Sequence, residues 1–518
     1  MSKTSIKLLL PIMLLVSSPV AADTLRWATA NETSSMDPHF ARVDANKSLA
    51  RHIFDPLVRS DANLQPTPGL AESWDNIDDL TWEFKLRPNV KFHNGEPFTA
   101  EDVKYSIERI PTITGSSSPY TVHTSMIESI EIVDPLTIRL KTADPYPLMP
   151  RSLAEISILP HSLGEIESNA FNSPEAVIGT GPYRFVSRQI GERITLTVNE
   201  DYWGERPEFE DVEFIVMPNA GARVAALRAG DVDIIESPNS ADVPHLQAND
   251  DFTVTSKVSY RIIYLGLNQF SDEMPAGVSG TDGKNPFKDQ RVREAISIAI
   301  NRDGIAARIM GGESSPANQV LSPVLSGFDT TLPEIPFDPE RARALLAEAG
   351  YPDGFSLTLS ATNDRYINDA SVAQAIAANL TQVGLRTSVQ IMPSNVFLPR
   401  WGKQEYSFFM VGSGVSTGEG SYGLRNVIAT YNPDIGMGIS NNGRYSNPKV
   451  DELLISSLTT IDEDERTAKV QEATRIAMEE VGIIPLHWEH SIWASQAGIE
   501  YPGRVDQSNV AMDVVHTE

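Results

Sequence analysis

The chain has 518 residues, no cysteine, and 69 acidic against 42 basic side chains, a formal net charge of −27. Without thiols there can be no disulfide, iron–sulfur cluster, cysteine nucleophile or Cys-ligated zinc, and so negative a chain repels phosphate backbones and anionic lipid heads, which argues against nucleic acid or a membrane surface as a partner. At roughly 150 residues per domain the length allows about three structural units, with ample chain to bury a core.

In chain order, Lys3 and Lys7 precede an apolar run at 8–16, and Val20-Ala21-Ala22 supplies small residues before Asp23. This is the pattern of a secretory signal peptide over residues 1–22, its apolar core well short of the roughly 20 residues that span a bilayer. No Cys follows to carry a lipid. The mature chain is therefore expected to begin near Asp23, without an anchor, in the periplasm. Apolar and polar residues alternate at 81–86, 137–140, 194–198 and 355–359, the period-two signal of half-buried strands. Between them lie helix starts: Thr99 with Asp102 three residues on, Asp289 before Val292 to Ile300, and Asp338-Pro339-Glu340 opening 341–349 before Gly350. Strands and helices interspersed over this length predict an α/β fold. A turn-rich loop at 270–285 follows the apolar strand 262–267 and marks a boundary between units.

One long string carries more than architecture: Leu70-Ala71-Glu72-Ser73-Trp74, then Trp82 through Val103, reading WEFKLRPNVKFHNGEPFTAEDV. With it, in order, come Ser35-Met36-Asp37-Pro38-His39, Gly179-Thr180-Gly181-Pro182-Tyr183, Asn199-Glu200-Asp201-Tyr202-Trp203, Tyr264-Leu265-Gly266-Leu267-Asn268, Arg291 to Ile296, Tyr445 to Asp451, and Ile484-Pro485-Leu486-His487. Over essentially the whole mature chain the sequence resembles the family 5 extracellular solute-binding proteins, the peptide-, nickel- and opine-binding receptors of ABC importers. The resemblance implies a two-lobed periplasmic-binding-protein-like fold, type II, of the large kind with an extra domain. Residues 23–65, 178–268 and 485–518 would form lobe I, 66–177 the extra domain inserted in it, and 269–484 lobe II, closing about crossing strands near 264–268 and 484–490. It also implies a cofactor-free monomer that passes a peptide or peptide-like solute to permease subunits coupled to ATPase subunits.

A free peptide offers a carboxylate and an ammonium, so its receptor needs a basic and an acidic group. For the carboxylate, Arg365 presents a planar fork, with Tyr366 beside it, after the strand 357–359. Many dipeptide receptors of the family hold the ammonium with an Asp that follows a strand ending in Gly-Trp. Here the strand 406–411 runs into Gly412-Ser413-Gly414-Val415-Ser416-Thr417-Gly418-Glu419, lacking both, so Glu419 is the nearest acid and a simple dipeptide is not the only ligand to consider. Opine, glutathione-like, sugar-derived or metal-chelate solutes are the alternatives. Trp401, Tyr422 and Tyr431 are candidates to wall a side-chain pocket, and Gly436-Met437 to bring backbone close to the ligand.

Two enzyme-like patterns compete with this reading. Gly414-Val415-Ser416-Thr417-Gly418 has the Gly-x-Ser-x-Gly form, and Asp434 or Asp451 followed by His487 or His490 supplies a hydrolase's chain order, but no oxyanion-hole motif lies upstream. His487 and His490 are spaced for metal on a helix, yet 483–486 reads as a strand, on which residues three apart face opposite ways. No catalytic residue, metal site or phosphate loop is therefore expected.

Overall fold

The computed structural model describes residues 23–116 and 118–517, so the signal peptide expected at 1–22 lies outside the described residues. Two long strands, Phe252–Leu267 and Ile484–Gln496, pair antiparallel in the middle of the molecule. On one side of them Ile234–Glu236, Thr24–Thr29, Asp211–Val216, Arg193–Val198 and Tyr183–Gln189 follow in sheet order; on the other side come Phe408–Ser413, Ser356–Thr362 and Val278–Ser279, with Arg386–Met392 on Ser356–Thr362. One curled sheet of 12 strands thus runs through two α/β lobes and is shared at the crossing pair. A separate four-stranded antiparallel sheet, Ala71–Asp78, Thr81–Leu86, Thr137–Thr142 and Ile127–Asp134 in that order, has its own apolar core around Phe84, Phe92, Val103 and Leu140.

Local signals explain most element ends. Asp289 and Asp338 accept from Arg291 N and Arg341 N, capping helices Gln290–Ile298 and Pro339–Glu348. Asp102 closes the start of helix Ala100–Arg109 by accepting from Thr99 N at 2.7 Å, and also accepts from His161 N at 2.9 Å. The strand expected at 262–267 proves to be the last third of Phe252–Leu267, whose first part alternates with polar residues. Pairing with Ile484–Gln496 overrides that weaker pattern.

Two of the sequence strings are structural in a way that spacing did not show. Gly179 and Gly181 have no positive φ; they matter because the chain passes against the end of helix Asp44–Ile53, where a Cβ on Gly179 would lie 1.9 Å from the Ile53 carbonyl oxygen. Asp37 is fully buried and accepts from both terminal nitrogens of Arg109, at 3.0 and 2.8 Å, and from Ser168 Oγ at 2.6 Å. His39, against the same guanidinium, is pushed down to about 4 by burial. It therefore accepts from Arg109 at Nδ1 and donates from Nε2 to the Ser157 carbonyl, at 3.1 and 2.8 Å.

Candidate functional site

Between the lobes lies a cavity of about 750 Å³. One wall comes from the chain after strand Thr24–Thr29, the first turns of helix Asp44–Ile53, and the segment 216–239. The opposite wall is 363–368 with Ser394, and Arg261 and Glu489 of the two crossing strands, with Gln507 and Asn509, close the cavity between them.

Most of its charged groups are already satisfied. Arg223 donates only to carbonyls, those of Met217, Pro218, Glu236 and Ser237. Glu236 is half-buried and accepts from Ala30 N and Asn509 Nδ2; desolvation, more than any neighbour, pushes its carboxyl up. Glu32 pairs with Arg188 at 2.8 Å. Glu489 accepts from Ile367 N at 3.0 Å and from Gln507 Nε2 at 3.3 Å, tying the crossing strand to the opposite wall. Asn368, held at φ 54°, completes that tie by donating to Ser240 Oγ and the Ile309 carbonyl, at 2.6 and 2.7 Å.

Arg365 is different. It is exposed to the cavity, its Nε donates to Tyr366 Oη at 3.0 Å, and its guanidinium sits 5.5 Å from that ring. Among the described residues no carboxylate pairs with it: Asp364 accepts from Ser394 N, and Asp369 from Thr362 Oγ1 and the backbone N–H groups of Arg365 and Tyr366. The buried ring of Tyr366 is fixed in turn by donation from its hydroxyl to the Gly412 carbonyl at 3.4 Å. A forked cation on a rigid aromatic support, its outer N–H groups unclaimed among the described residues, can receive a carboxylate through two parallel bonds.

Arg365 and Tyr366 thus lie together in the cavity wall, and the other six sequence candidates do not line it. Glu419 is buried, caps helix Gly420–Val427 by accepting from Tyr422 N, and pairs with Arg466 at 3.3 Å. Its carboxylate is spent inside the lobe. Trp401 packs edge-on against Phe409, and Met437 is core, bridged backbone to backbone with Asn432. Tyr431 lies under the Arg444 guanidinium at 3.7 Å, and the Gly436 carbonyl accepts from Arg425 Nε. Tyr422 stacks on His123 across the seam to the chain of the four-stranded sheet.

The sequence candidates did not include Asp44, Glu236, Arg261, Glu489, Gln507 or Asn509, all of which line the cavity. A signal existed for two of them, since Arg261 and Glu489 are the charged residues in the otherwise largely apolar stretches 258–267 and 483–494. A charge inside a buried strand needs a partner or a ligand. The hydrolase pattern does not assemble: Ser416 sits in the turn after Phe408–Ser413 and, among the described residues, makes no hydrogen bond to a histidine. His487 is buried and pushed to about 4 by burial, while His490 bonds with Ser315 Oγ and Ser256 Oγ at 3.0 and 3.2 Å. No helix among the described residues is long and apolar enough to cross a membrane.

Known proteins place this arrangement. The family model of bacterial extracellular solute-binding proteins, family 5, middle part, matches residues 65–433, well over half the chain. The glutathione-binding protein GsiB of Pectobacterium atrosepticum is 28% identical over 471 residues, covering 89% of this chain and 87% of the relative. The heme-binding protein A of Haemophilus influenzae is 27% identical over 454 residues, covering 82% and 79%. The ABC transporter-associated periplasmic binding protein DppA of Helicobacter pylori, solved with the peptide STSA, superposes with a TM-score of 0.79 at 26% identity, over 96% of this chain and 98% of that one. The two lobes and shared sheet are accordingly those of a type II periplasmic binding protein, and the chain belongs to the bacterial extracellular solute-binding proteins of family 5.

Proposed function

We propose that this protein is the periplasmic receptor of an ABC importer, that it encloses a peptide or peptide-like solute between its lobes, and that it holds the solute's carboxylate on Arg365. The observation that carries the reading is the guanidinium of Arg365, which pairs with no carboxylate among the described residues, in the wall of a cavity of about 750 Å³ whose Arg223 donates to four carbonyls and whose Arg261 is held by Gln507 and Glu489. A volume of this size suits a small solute, and a polar lining with few free groups suits orientation rather than catalysis. The relatives bind solutes of several kinds, glutathione and heme by name, and one solved neighbour holds a tetrapeptide. A carboxylate is common to these.

Closure about the crossing strands Phe252–Leu267 and Ile484–Gln496 brings 363–368 over the cavity, so the solute is a contact between lobes and stabilises the closed form by its differential affinity for it. A monomer that opens and closes in this way would present both lobes to a permease, whose ATPase subunits supply the energy. The protein itself is read as a binder without catalytic activity. Incubated with ester and peptide substrates, it should release no product, and Ser416→Ala should behave as wild type in the same assay and in solute binding. Turnover that disappears with the Ser416 hydroxyl would replace the receptor reading with a hydrolase.

A further inference from the structure

Asp44, in the first turn of helix Asp44–Ile53, and Arg365 stand on opposite walls of the cavity, and we infer that Asp44 receives the ammonium group of the solute whose carboxylate lies on Arg365. The inference rests on the receptor reading above and makes it narrower: the solute is a zwitterion or a cation with a free ammonium, not an anion.

Two cations, Lys47 and Arg261, stand against three carboxylates, Glu155, Asp44 and Glu489. Lys47 is 3.6 Å from Glu155 and 3.9 Å from Asp44; Arg261 is 3.5 Å from both Asp44 and Glu489. One negative charge is left over. Among the described residues Arg42, two residues before Asp44, makes no ion pair with it and donates to the Pro119 carbonyl, and Arg51 is held by Asp506 at 2.6 Å.

The surplus resides on Asp44. Glu155 and Glu489 are buried, with side chains 4% and 5% exposed, and both oxygens of Glu489 accept hydrogen bonds. The Asp44 side chain is 51% exposed and lines the cavity, and the one hydrogen bond it accepts among the described residues is the long one from Arg261. Gln507 holds that guanidinium away from a closer pairing, accepting from its Nε and Nη2 at 3.1 and 2.9 Å. The other acids of the lining are spoken for: Glu32 by Arg188, and Glu236 by Ala30 N and Asn509. Asp364 stands directly beside Arg365 in the chain, where an ammonium on it would leave the carboxylate pole no separation.

The lobes contribute one pole each, Asp44 from one and Arg365 from the other. A solute that carries both charges bridges Asp44 and Arg365 and favours closure; a solute that lacks the ammonium leaves Asp44 facing it uncompensated, a repulsive element against anions.

The test is a binding titration followed by thermal shift, with three probes: an equimolar pool of free di- and tripeptides, the same pool N-acetylated, and the same pool as C-terminal amides. The wild type should be stabilised by the free pool only. Asp44→Asn should raise the half-saturating concentration of the free pool roughly tenfold or more, as removal of a hydrogen bond to a charged group does, with the unliganded melting temperature unchanged; Asp44→Glu should recover part of the loss. A free pool that binds wild type and Asp44→Asn alike, or an N-acetylated pool that binds wild type as well as the free one, overturns the assignment of Asp44 alone. Failure of the wild type to bind the free pool at all overturns the peptide reading beneath it.

Discussion

Arg365→Ala should weaken solute binding by about 30-fold to several-thousand-fold while the melting temperature of the unliganded protein stays within a degree or so of wild type. Removing one partner of an enclosed, hydrogen-bonded charge pair costs roughly 2–5 kcal/mol, and each 1.4 kcal/mol is a factor of ten in Kd. Stability should be untouched because, among the described residues, Arg365 has no carboxylate partner and its side chain donates only to the hydroxyl of its neighbour Tyr366. Arg365→Lys should restore part of the affinity, since an ammonium is a point charge and cannot make the two parallel bonds of a guanidinium. Calorimetric titration separates this from the alternative, in which Arg365 is a bystander on the rim. An affinity for Arg365→Ala within about twofold of wild type would remove the residue from the site.

The second large effect concerns stability. Arg109→Leu leaves Asp37 fully buried with no cation, and breaking such a pair from one side costs about 3–5 kcal/mol. The first unfolding transition in urea should move to lower denaturant accordingly, and the double change Asp37→Leu with Arg109→Leu should recover much of the loss, because neither charge is then stranded. Burial works to raise the Asp37 carboxyl, but the bonds from Arg109 and Ser168 and the neighbouring charges outweigh it and hold it below the usual range. A carboxylate depressed in the folded state contributes stability above its unfolded value, near pH 4, and that contribution fades as the pH falls through the folded value. The cost of Arg109→Leu should therefore shrink below about pH 4. A cost under about 1 kcal/mol at neutral pH would show that Asp37 is solvated or neutral, contrary to its geometry.

Much of the fold was legible in the sequence, and the reasons are local. Strand Thr81–Leu86 and helix Ala100–Arg109 follow from alternation and from Thr99 and Asp102, all short-range signals. Asp37 and Gly179 were legible as a pattern but not as physics: one meets Arg109 72 positions away, the other a carbonyl 126 positions away, and no local rule encodes either contact. The site divides in the same way. Arg365 and Tyr366 could be named because a forked cation and an aromatic follow a strand end, where side chains meet a cleft. Glu419 was attractive for the same positional reason, but its place before Gly420 suits an N-cap, and Arg466 approaches from a helix 47 residues on. Asp44 carried no signal, because an acid in the first turn of a helix is ordinary. Only the count of cations around it sets it apart.

The most direct measurement is native mass spectrometry of the mature protein purified from its own cells without denaturation. The wild type is predicted to carry one noncovalent solute per chain, small enough for a cavity of about 750 Å³, with a free carboxylate, and the Arg365→Ala protein prepared in parallel is predicted to have lost it. A solute without a carboxylate, or one retained equally by both proteins, would contradict the account.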